Sequence, residues 1–508
     1  MRQWMVAAKK ADFYAIAEKF HVDPVVARII RNREVIGEKN IRIYLGGNLS
    51  DLSDPHQMKD MDRLVEILAQ KIRKQVHIRI IGDYDVDGVT SSHLFLTALR
   101  RVGAKVDVVI PHRIQDGYGL SLHLLQQAKE DGVDTILTCD NGIAAIDEIA
   151  WAKAQKMTVL VTDHHAVPFE EHEGRRTEKK SLADAVVNPH QQDCGYPYKE
   201  LCGAGVAWNV IRVLYENYDM DKREAEDLLD FVAMATVCDV MSLTGENRIL
   251  VKEGLKRIRH TKNIGLQALM QACNVQPENI SAYHFGYVLG PCVNATGRLD
   301  TARHALRLFE TGQETEAEEI ARDLVDLNQE RKELTLQGVE MAKKLCEEGG
   351  YENDPVLVLF LPDVHESIAG LIAGRIREMY NRPVFVLTRG EEGVKGSGRS
   401  TENYSMYENM CGCAELFTKF GGHPMAAGLS LPEENVEKFR RKINENCPLT
   451  VEEVCPDIHI DMAMPVGYAS TELVHQFALL EPFGKDNPSP LFADRNLSIS
   501  RMLSLIHI

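Results

Sequence analysis

The sequence has no excess of basic charge: 58 Lys and Arg stand against 75 Asp and Glu, a formal net charge of −17. That excludes a surface that is basic throughout, because binding a nucleic-acid backbone needs Lys or Arg against phosphates. A local basic groove, or bound metal ions, remain compatible with such a ligand. No apolar run exceeds strand length; the longest, such as Val356–Leu361, is far too short to cross a bilayer. The opening residues MRQWMVAAKKADF lack the apolar core of roughly 7–15 residues that marks a signal peptide. No CxxC pair occurs among the 11 cysteines, the closest spacing being Cys411-Gly-Cys413, so the pattern fits reduced thiols in a cytosol rather than a disulfide framework or structural zinc. Internal repeats and low-complexity tracts are also lacking. What remains is a chain of 508 residues, 44% hydrophobic and 26% charged, a soluble globular composition. Its length calls for roughly two to four domains.

Apolar residues at helical spacing in Asp23–Arg31 and Met61–Lys71 predict a largely helical region over 1–70. From Val76 onward, short apolar runs alternate with segments of helix length. The runs are His77–Gly82, Ala104–Pro111, Asp134–Cys139, Thr158–Thr162 and Ala185–Asn188; Thr90–Val102, Ser121–Asp131 and Ile143–Lys156 lie between them. Such alternation predicts βαβ units and a parallel, doubly wound sheet. A mostly helical stretch follows from about Gly205 to Ala272. Residues 303–348, dense in Glu, Arg, Lys and Leu and free of Pro, predict long connecting helices. A second α/β pattern begins at Asp354, with strands at Val356–Leu361, Val384–Leu387 and Val394–Ser397 and helices at Ser367–Tyr380 and Glu402–Phe420. After about Pro448 the pattern is short and β-rich.

Acidic and histidine-bearing clusters fall where strands end. Asp83-Tyr84-Asp85-Val86-Asp87-Gly88 closes the first strand, Asp140-Asn141-Gly142 the third and Asp163-His164-His165 the fourth; Asp239 follows a later apolar helical run. A single strand-terminal Asp is most often turn chemistry, and an adjacent His pair is most often surface decoration. Their conjunction is different. Ligands of open parallel sheets bind beyond the carboxyl ends of strands, and acids converging there repel one another unless a cation neutralises them. Carboxylates with one or two imidazoles suit Mn²⁺ or Mg²⁺, and this many ligands is enough for two ions sharing a bridging carboxylate.

Asp85-x-Asp87, Asp140, Asp163-His164-His165 and Asp239 match, in order, the four motifs of the DHH phosphodiesterases, so residues 80–240 resemble that family. The resemblance implies metal ligation by Asp85, Asp87, Asp140, His164 and Asp239. Asp83 is a further candidate, and which two of the three motif-one aspartates ligate stays open. It also implies that Asp163 orients His164 and that His165 contacts the scissile phosphate, making Asp85, Asp140, Asp163 and His165 the catalytic set.

Within that superfamily the motif-one segment is similar to the RecJ exonucleases, as are Pro111-His112-Arg113 with Gly117-Tyr118-Gly119-Leu120 and the run Gly290–Leu299. Arg113, Tyr118, Asn294 and Arg298 are therefore expected at the substrate. Arg298 has its own rationale, since a guanidinium fork matches phosphate oxygens. Gly396-Ser397-Gly398-Arg399-Ser400 and Gly421-Gly422-His423-Pro424 resemble the DHH-associated domain, giving Ser397, Arg399 and His423 as further substrate contacts. Leu480-Glu481-Pro482-Phe483-Gly484, with Asn487-Pro488, looks like the linker into an oligonucleotide-binding barrel. With the sequence ending at Ile508, that barrel is expected to be incomplete and its hold on long strands weak.

The fold expected is thus α/β: a helical region over 1–70, a parallel doubly wound DHH domain over 71–300, a helical connector over 301–350, a second α/β DHH-associated domain over 351–450, and a partial, OB-like β segment over 451–508. The resemblance implies a two-ion Mn²⁺ or Mg²⁺ exonuclease that degrades single-stranded DNA from its 5′ end to mononucleotides, in cytoplasmic recombination and repair. The partners implied are single-stranded DNA, a single-strand-binding protein and a helicase, and no membrane. The alternatives are a DHH phosphodiesterase for short oligonucleotides or cyclic dinucleotides, and a nucleic-acid-binding or scaffold protein with a decayed site.

Overall fold

The computed structural model describes residues 4–112, 119–172, 175–299, 301–390, 393–450, 453 and 457–498. The chain forms two compact units. The larger consists of Lys9–Asn328 with Ala469–Ser489; the smaller holds residues 329–468, the start of the chain and the residues from 490 on.

The larger unit is built on a five-stranded, wholly parallel sheet. Its strands are β1 (Ile78–Ile81), β2 (Val106–Val109), β3 (Thr135–Cys139), β4 (Thr158–Thr162) and β5 (Ala185–Val187), ordered β2-β1-β3-β4-β5. The period of two divides each strand between two cores. Ile78, Ile80, Leu137, Cys139 and Leu160 face one hydrophobic cluster; Ile81, Ile136, Val159 and Val161 face another. Both faces are covered, which is why these strands read as near-continuous apolar runs. The chain leaves β1 to one side for β2 and returns to the other for β3. The β1/β3 boundary is therefore the switch point at which ligands of such sheets bind.

The connector expected over 301–350 is a helix at Ala302–Glu310 followed by one of 35 residues, Glu314–Glu348. The boundary between the two units falls inside this long helix. Ala317, Ile320, Ala321 and Leu324 from its first half belong to the core of the larger unit, whereas Val339, Ala342 and Cys346 belong to a core of the smaller one.

The smaller unit carries a mixed sheet of β6 (Leu357–Phe360), β7 (Val384–Gly390), β8 (Gly393–Arg399), β9 (Lys419–His423) and β10 (Ala426–Leu431), ordered β9-β10-β8-β7-β6. Only β6 and β7 run parallel. The helix expected over Glu402–Phe420 is confined to Met406–Cys411. Gly412 caps it, and residues from Lys419 are drawn into the antiparallel pairing with β10, so strand pairing overrides local propensity there.

The expected β segment over 451–508 is divided between the units. Ile458–Ile460 pairs in parallel with Trp4–Val6, and Met462–Ala463 with Phe492–Ala493, in the smaller unit. Residues 469–489 pack into the larger unit, with a helix at Thr471–Gln476. The buried Arg248 fastens them: it donates to the carbonyls of Leu479 (2.9 Å), Leu480 (3.0 Å) and Tyr44 (2.8 Å). Its guanidinium lies 3.9 Å over the Tyr44 ring, whose hydroxyl donates to Asn487 Oδ1 at 2.8 Å. No sequence periodicity signals a fastening through a buried cation.

Candidate metal centre

Beyond β1, Asp85 caps the helix Val86–Arg101, its carboxylate accepting from the Gly88 amide at 3.0 Å. A Cβ on Gly88 would sit 2.5 Å from the Asp83 backbone, so glycine is what allows the helix to start so close to the strand. Asp87, in the first turn, accepts from the backbone amides of Gly203 (2.6 Å) and Ala204 (2.7 Å), which open the helix Gly203–Asn217. Helix amides with no internal partner suit an anion.

Asp140 follows β3 in the left-handed region, at φ 62°. A non-glycine residue held there is strained, a condition that clusters at functional sites. A Cβ on Gly203 would lie 2.7 Å from Asp140 Cβ, so that glycine is required for the helix to approach. Asp239 ends the helix Leu229–Cys238, where the dipole disfavours a negative charge.

These side chains converge. Ligand atoms of Asp83, Asp85 and Asp140 all lie within 4.8 Å of one another, as do those of Asp87, His164 and Asp239, and those of Asp140, His164 and His165. His164 Nε2 stands 3.1 Å from Asp140 Oδ1, 3.6 Å from Asp239 Oδ2 and 3.7 Å from Asp87 Oδ2. That nitrogen is buried and has no hydrogen-bond partner among the described residues. Burial, and then the charge of Asp87, push the Asp85 carboxyl up. Asp140 and Asp239 are driven well above the usual carboxylate range, by burial first and by the neighbouring Asp87 and Asp85 next. Burial lowers the pKa of His164, which favours the neutral ring that a metal needs.

Asp163 behaves oppositely. Its Oδ1 accepts from the amides of His164 (2.7 Å) and His165 (3.0 Å) and from His165 Nδ1 (2.7 Å), while Oδ2 accepts from the Ile143 amide (2.9 Å). Burial alone would raise it, but the His165 hydrogen bond and the charges of His165 and His164 hold it below the usual range. The ring that Asp163 orients is thus that of His165 and not, as expected, that of His164. Burial works against the His165 cation, yet Asp163 and the surrounding carboxylates hold its pKa up at about 9.

Of the other expected contacts, Arg113 and Tyr118 lie outside the described residues. Asn294 belongs to the helix Gly290–Leu299, and its Oδ1 accepts from the Val86 amide at 3.2 Å, so it braces motif one. Arg298, half-buried, is on the same helix, next to Gly297, where a Cβ would meet the Tyr84 carbonyl at 2.4 Å. In the smaller unit Ser397 and Arg399 sit on β8 two residues apart, both facing Gly370 of the helix Glu366–Tyr380. His423 is on β9, paired with Ala426, which in turn pairs with Arg399. Sequence reasoning missed the Gly203 and Ala204 amides. The signal was the small-residue run Gly203-Ala204-Gly205 opening an apolar helix.

Chemically, five carboxylates and an imidazole at a sheet switch point form a hard-donor cage, in which Asp85, Asp140 and Asp239 are held above their usual range by burial and then by neighbouring aspartates. Divalent cations fit it: charge neutralisation removes the repulsion, and the orphaned His164 Nε2 gains a partner.

A parallel α/β unit with this cage is the architecture of a metal-dependent phosphoesterase. The model of the DHH family, N-terminal domain, matches residues 77–236, that of the DHHA1 domain 353–447, and that of the RecJ OB domain 460–506. The chain is 33% identical over 480 residues to the single-stranded-DNA-specific exonuclease RecJ of Bacillus subtilis, covering 94% of this chain and 59% of that protein. It is 36% identical over 440 residues to RecJ of Haemophilus influenzae, covering 83% and 74%. Among solved structures, RecJ of Thermus thermophilus in complex with Mn²⁺ superposes with a TM-score of 0.82 at 28% identity, covering 96% of this chain and 69% of that one. The chain belongs to the RecJ family of single-stranded-DNA-specific exonucleases.

Proposed function

We propose that this chain is a Mn²⁺- or Mg²⁺-dependent exonuclease that hydrolyses single-stranded DNA from the 5′ end to mononucleotides, in recombination and repair. The observation that carries the reading is the convergence of Asp83, Asp85, Asp87, Asp140, His164 and Asp239 at the β1/β3 switch point, in a chain of this family. Those six residues would hold two ions. When bound, the ions supply an activated water and charge stabilisation for the attacking and leaving oxygens of a phosphoryl displacement.

The protein's own groups do the rest. Asp163 fixes the His165 ring through Nδ1 and so holds that imidazole at the cage, where it would meet a phosphate oxygen. Asn294 holds the Val86 amide and with it the start of the helix that carries Asp87. Arg298, Ser397, Arg399 and His423 are assigned to strand phosphates. The 5′ polarity and the mononucleotide product rest on resemblance to the family. So do a cytoplasmic setting and work alongside a single-strand-binding protein and a helicase. No helix among the described residues is long and apolar enough to cross a membrane.

Digestion of 5′-labelled linear single strands, blunt duplex and closed single-stranded circles tests this. Activity is expected on the linear strand alone, abolished by EDTA and restored by Mn²⁺ or Mg²⁺. Full activity after exhaustive chelation, or cutting of the circle at a comparable rate, would overturn the proposal. Preference for a dinucleotide over a long strand would favour the short-oligonucleotide phosphodiesterase instead.

A further inference from the structure

Tyr283 and Tyr287 are four residues apart on the turns that lead into the helix Gly290–Leu299, and their rings stack at 5.0 Å with an interplanar angle of 24°. They are 63% and 71% exposed. What sets them apart from other exposed aromatics such as Tyr14 is that they stack on each other and present one shared π face. They line a cavity of about 640 Å³ whose other walls include Pro482 and Phe483 from the segment fastened by Arg248, together with Val240.

The cavity is tied to the metal centre by packing. Cys238, next to Asp239, also lines it and donates through Sγ to the Phe285 carbonyl at 3.3 Å. A Cβ on Gly290 would lie 2.3 Å from that sulfur, so only glycine lets the helix come so near. Phe285–Leu289 is a π-helical turn, a form found mostly at functional sites. Val240, on the other side of Asp239, is held at φ 55°, an outlier for a β-branched residue. The backbone around Asp239 is therefore strained into the wall that faces the tyrosines. Arg259 and Lys485 bring two cations to this wall against one carboxylate, Glu481.

We infer that this groove is a base-stacking subsite: unpaired bases of the strand lie on the Tyr283–Tyr287 pair while Arg259 and Lys485 meet its phosphates. The ligand is single-stranded polynucleotide, because stacked rings beside cations fit a polyanion with exposed planar groups, and a duplex keeps its base faces covered. Stacking of this kind tolerates any sequence, as an exonuclease requires. The inference rests on the proposed function and extends it by placing a stretch of the strand beside Asp239.

The test uses the full chain and a fluorescent oligothymidylate of about 20 nucleotides, with EDTA present to stop cleavage. The double variant Tyr283→Ala/Tyr287→Ala is expected to bind roughly 10- to 100-fold more weakly. The salt dependence should keep the wild-type slope, because no phosphate contact is removed. Tyr283→Phe/Tyr287→Phe should bind like wild type. If the alanine pair lowers the melting temperature, Tyr283→Leu/Tyr287→Leu keeps the apolar bulk without the π face and should show the same loss. Binding within about twofold of wild type in a folded alanine or leucine pair overturns the subsite, and so does a loss that phenylalanine does not repair. If wild type neither binds nor digests single strands, the proposed function itself has failed. If wild type digests them and the variants bind as it does, only the stacking subsite has failed.

Discussion

The helices Val86–Arg101 and Leu229–Cys238 each carry a buried titratable group far from the metal centre as well as an acid within it. At the metal end stand Asp87 and Asp239; further along lie His93 and Asp230, which line a second cavity of about 770 Å³. Asp140 and Asp230 are both buried acids pushed above the usual carboxylate range, but for different reasons. Asp140 is raised by burial and by four neighbouring aspartates, Asp87, Asp85, Asp239 and Asp83. Asp230 is raised by burial, to about 6, with the Thr261 hydroxyl at 2.6 Å and the Phe231 amide at 2.9 Å acting to hold it down. His93, wedged against Phe231 at 4.4 Å between ring centroids, is lowered by burial to about 3 and so stays neutral. A raised acid with its own donors is a packing solution. A raised acid among other acids calls for a cation. The contrast separates the two kinds of buried charge within one unit.

Asp140→Ala is the harshest test. Loss of outer-shell partners typically costs about 10- to 100-fold, so removal of a shared ligand is expected to cost more than about 100-fold in digestion rate. The metal-free protein should melt no lower, since a repelling carboxylate has gone. A variant that keeps the wild-type rate, or that unfolds without metal, would erase the distinction from Asp230. Asp163→Asn, which leaves every candidate ligand in place but weakens the grip on His165, should cost about 10- to 100-fold in rate with little change in metal affinity. An equal fall in metal affinity would make Asp163 a member of the cage.

Asp230→Asn should act on stability alone. A carboxyl raised in the folded state contributes stability that is complete below the unfolded value of 3.8 and is lost as pH rises through about 6. At pH 8 the wild type therefore carries a cost of at most about 3 kcal/mol. The variant should unfold at higher denaturant near pH 8, flatten the stability profile between pH 4 and 6, and digest DNA at the wild-type rate. A profile with its slope unchanged would show that Asp230 is not the group that titrates.

The crevice was legible in the sequence because strands with period two end where their apolar runs end, and the acids come next. Asp239 required the resemblance, since it follows a helix and no strand points to it. The partner of Asp163 was not legible: which of two adjacent imidazoles turns toward a carboxylate depends on side-chain torsions that spacing does not set. Nor was the role of Asn294, which braces Val86 across more than two hundred residues of chain. The end of the helix near Cys411 was missed because the pairing of β9 with β10 outweighs the helical texture of Glu402–Phe420. The split of the last segment was hidden for a similar reason: Arg248 reads as one more charge in a helix until its three carbonyl partners are in view.

The Arg248 fastening also sets an order of events during synthesis. Residues 9–328 leave the ribosome with the guanidinium of Arg248 lacking two of its three carbonyls, and Leu479 and Leu480 are made only after the core of the smaller unit. At about 5–20 residues per second the wait is on the order of 10 to 30 s. Through that interval Arg248 has only the Tyr44 carbonyl of its three acceptors, and the segment Ala469–Ser489 joins the larger unit after residues 329–468 of the smaller one have been made.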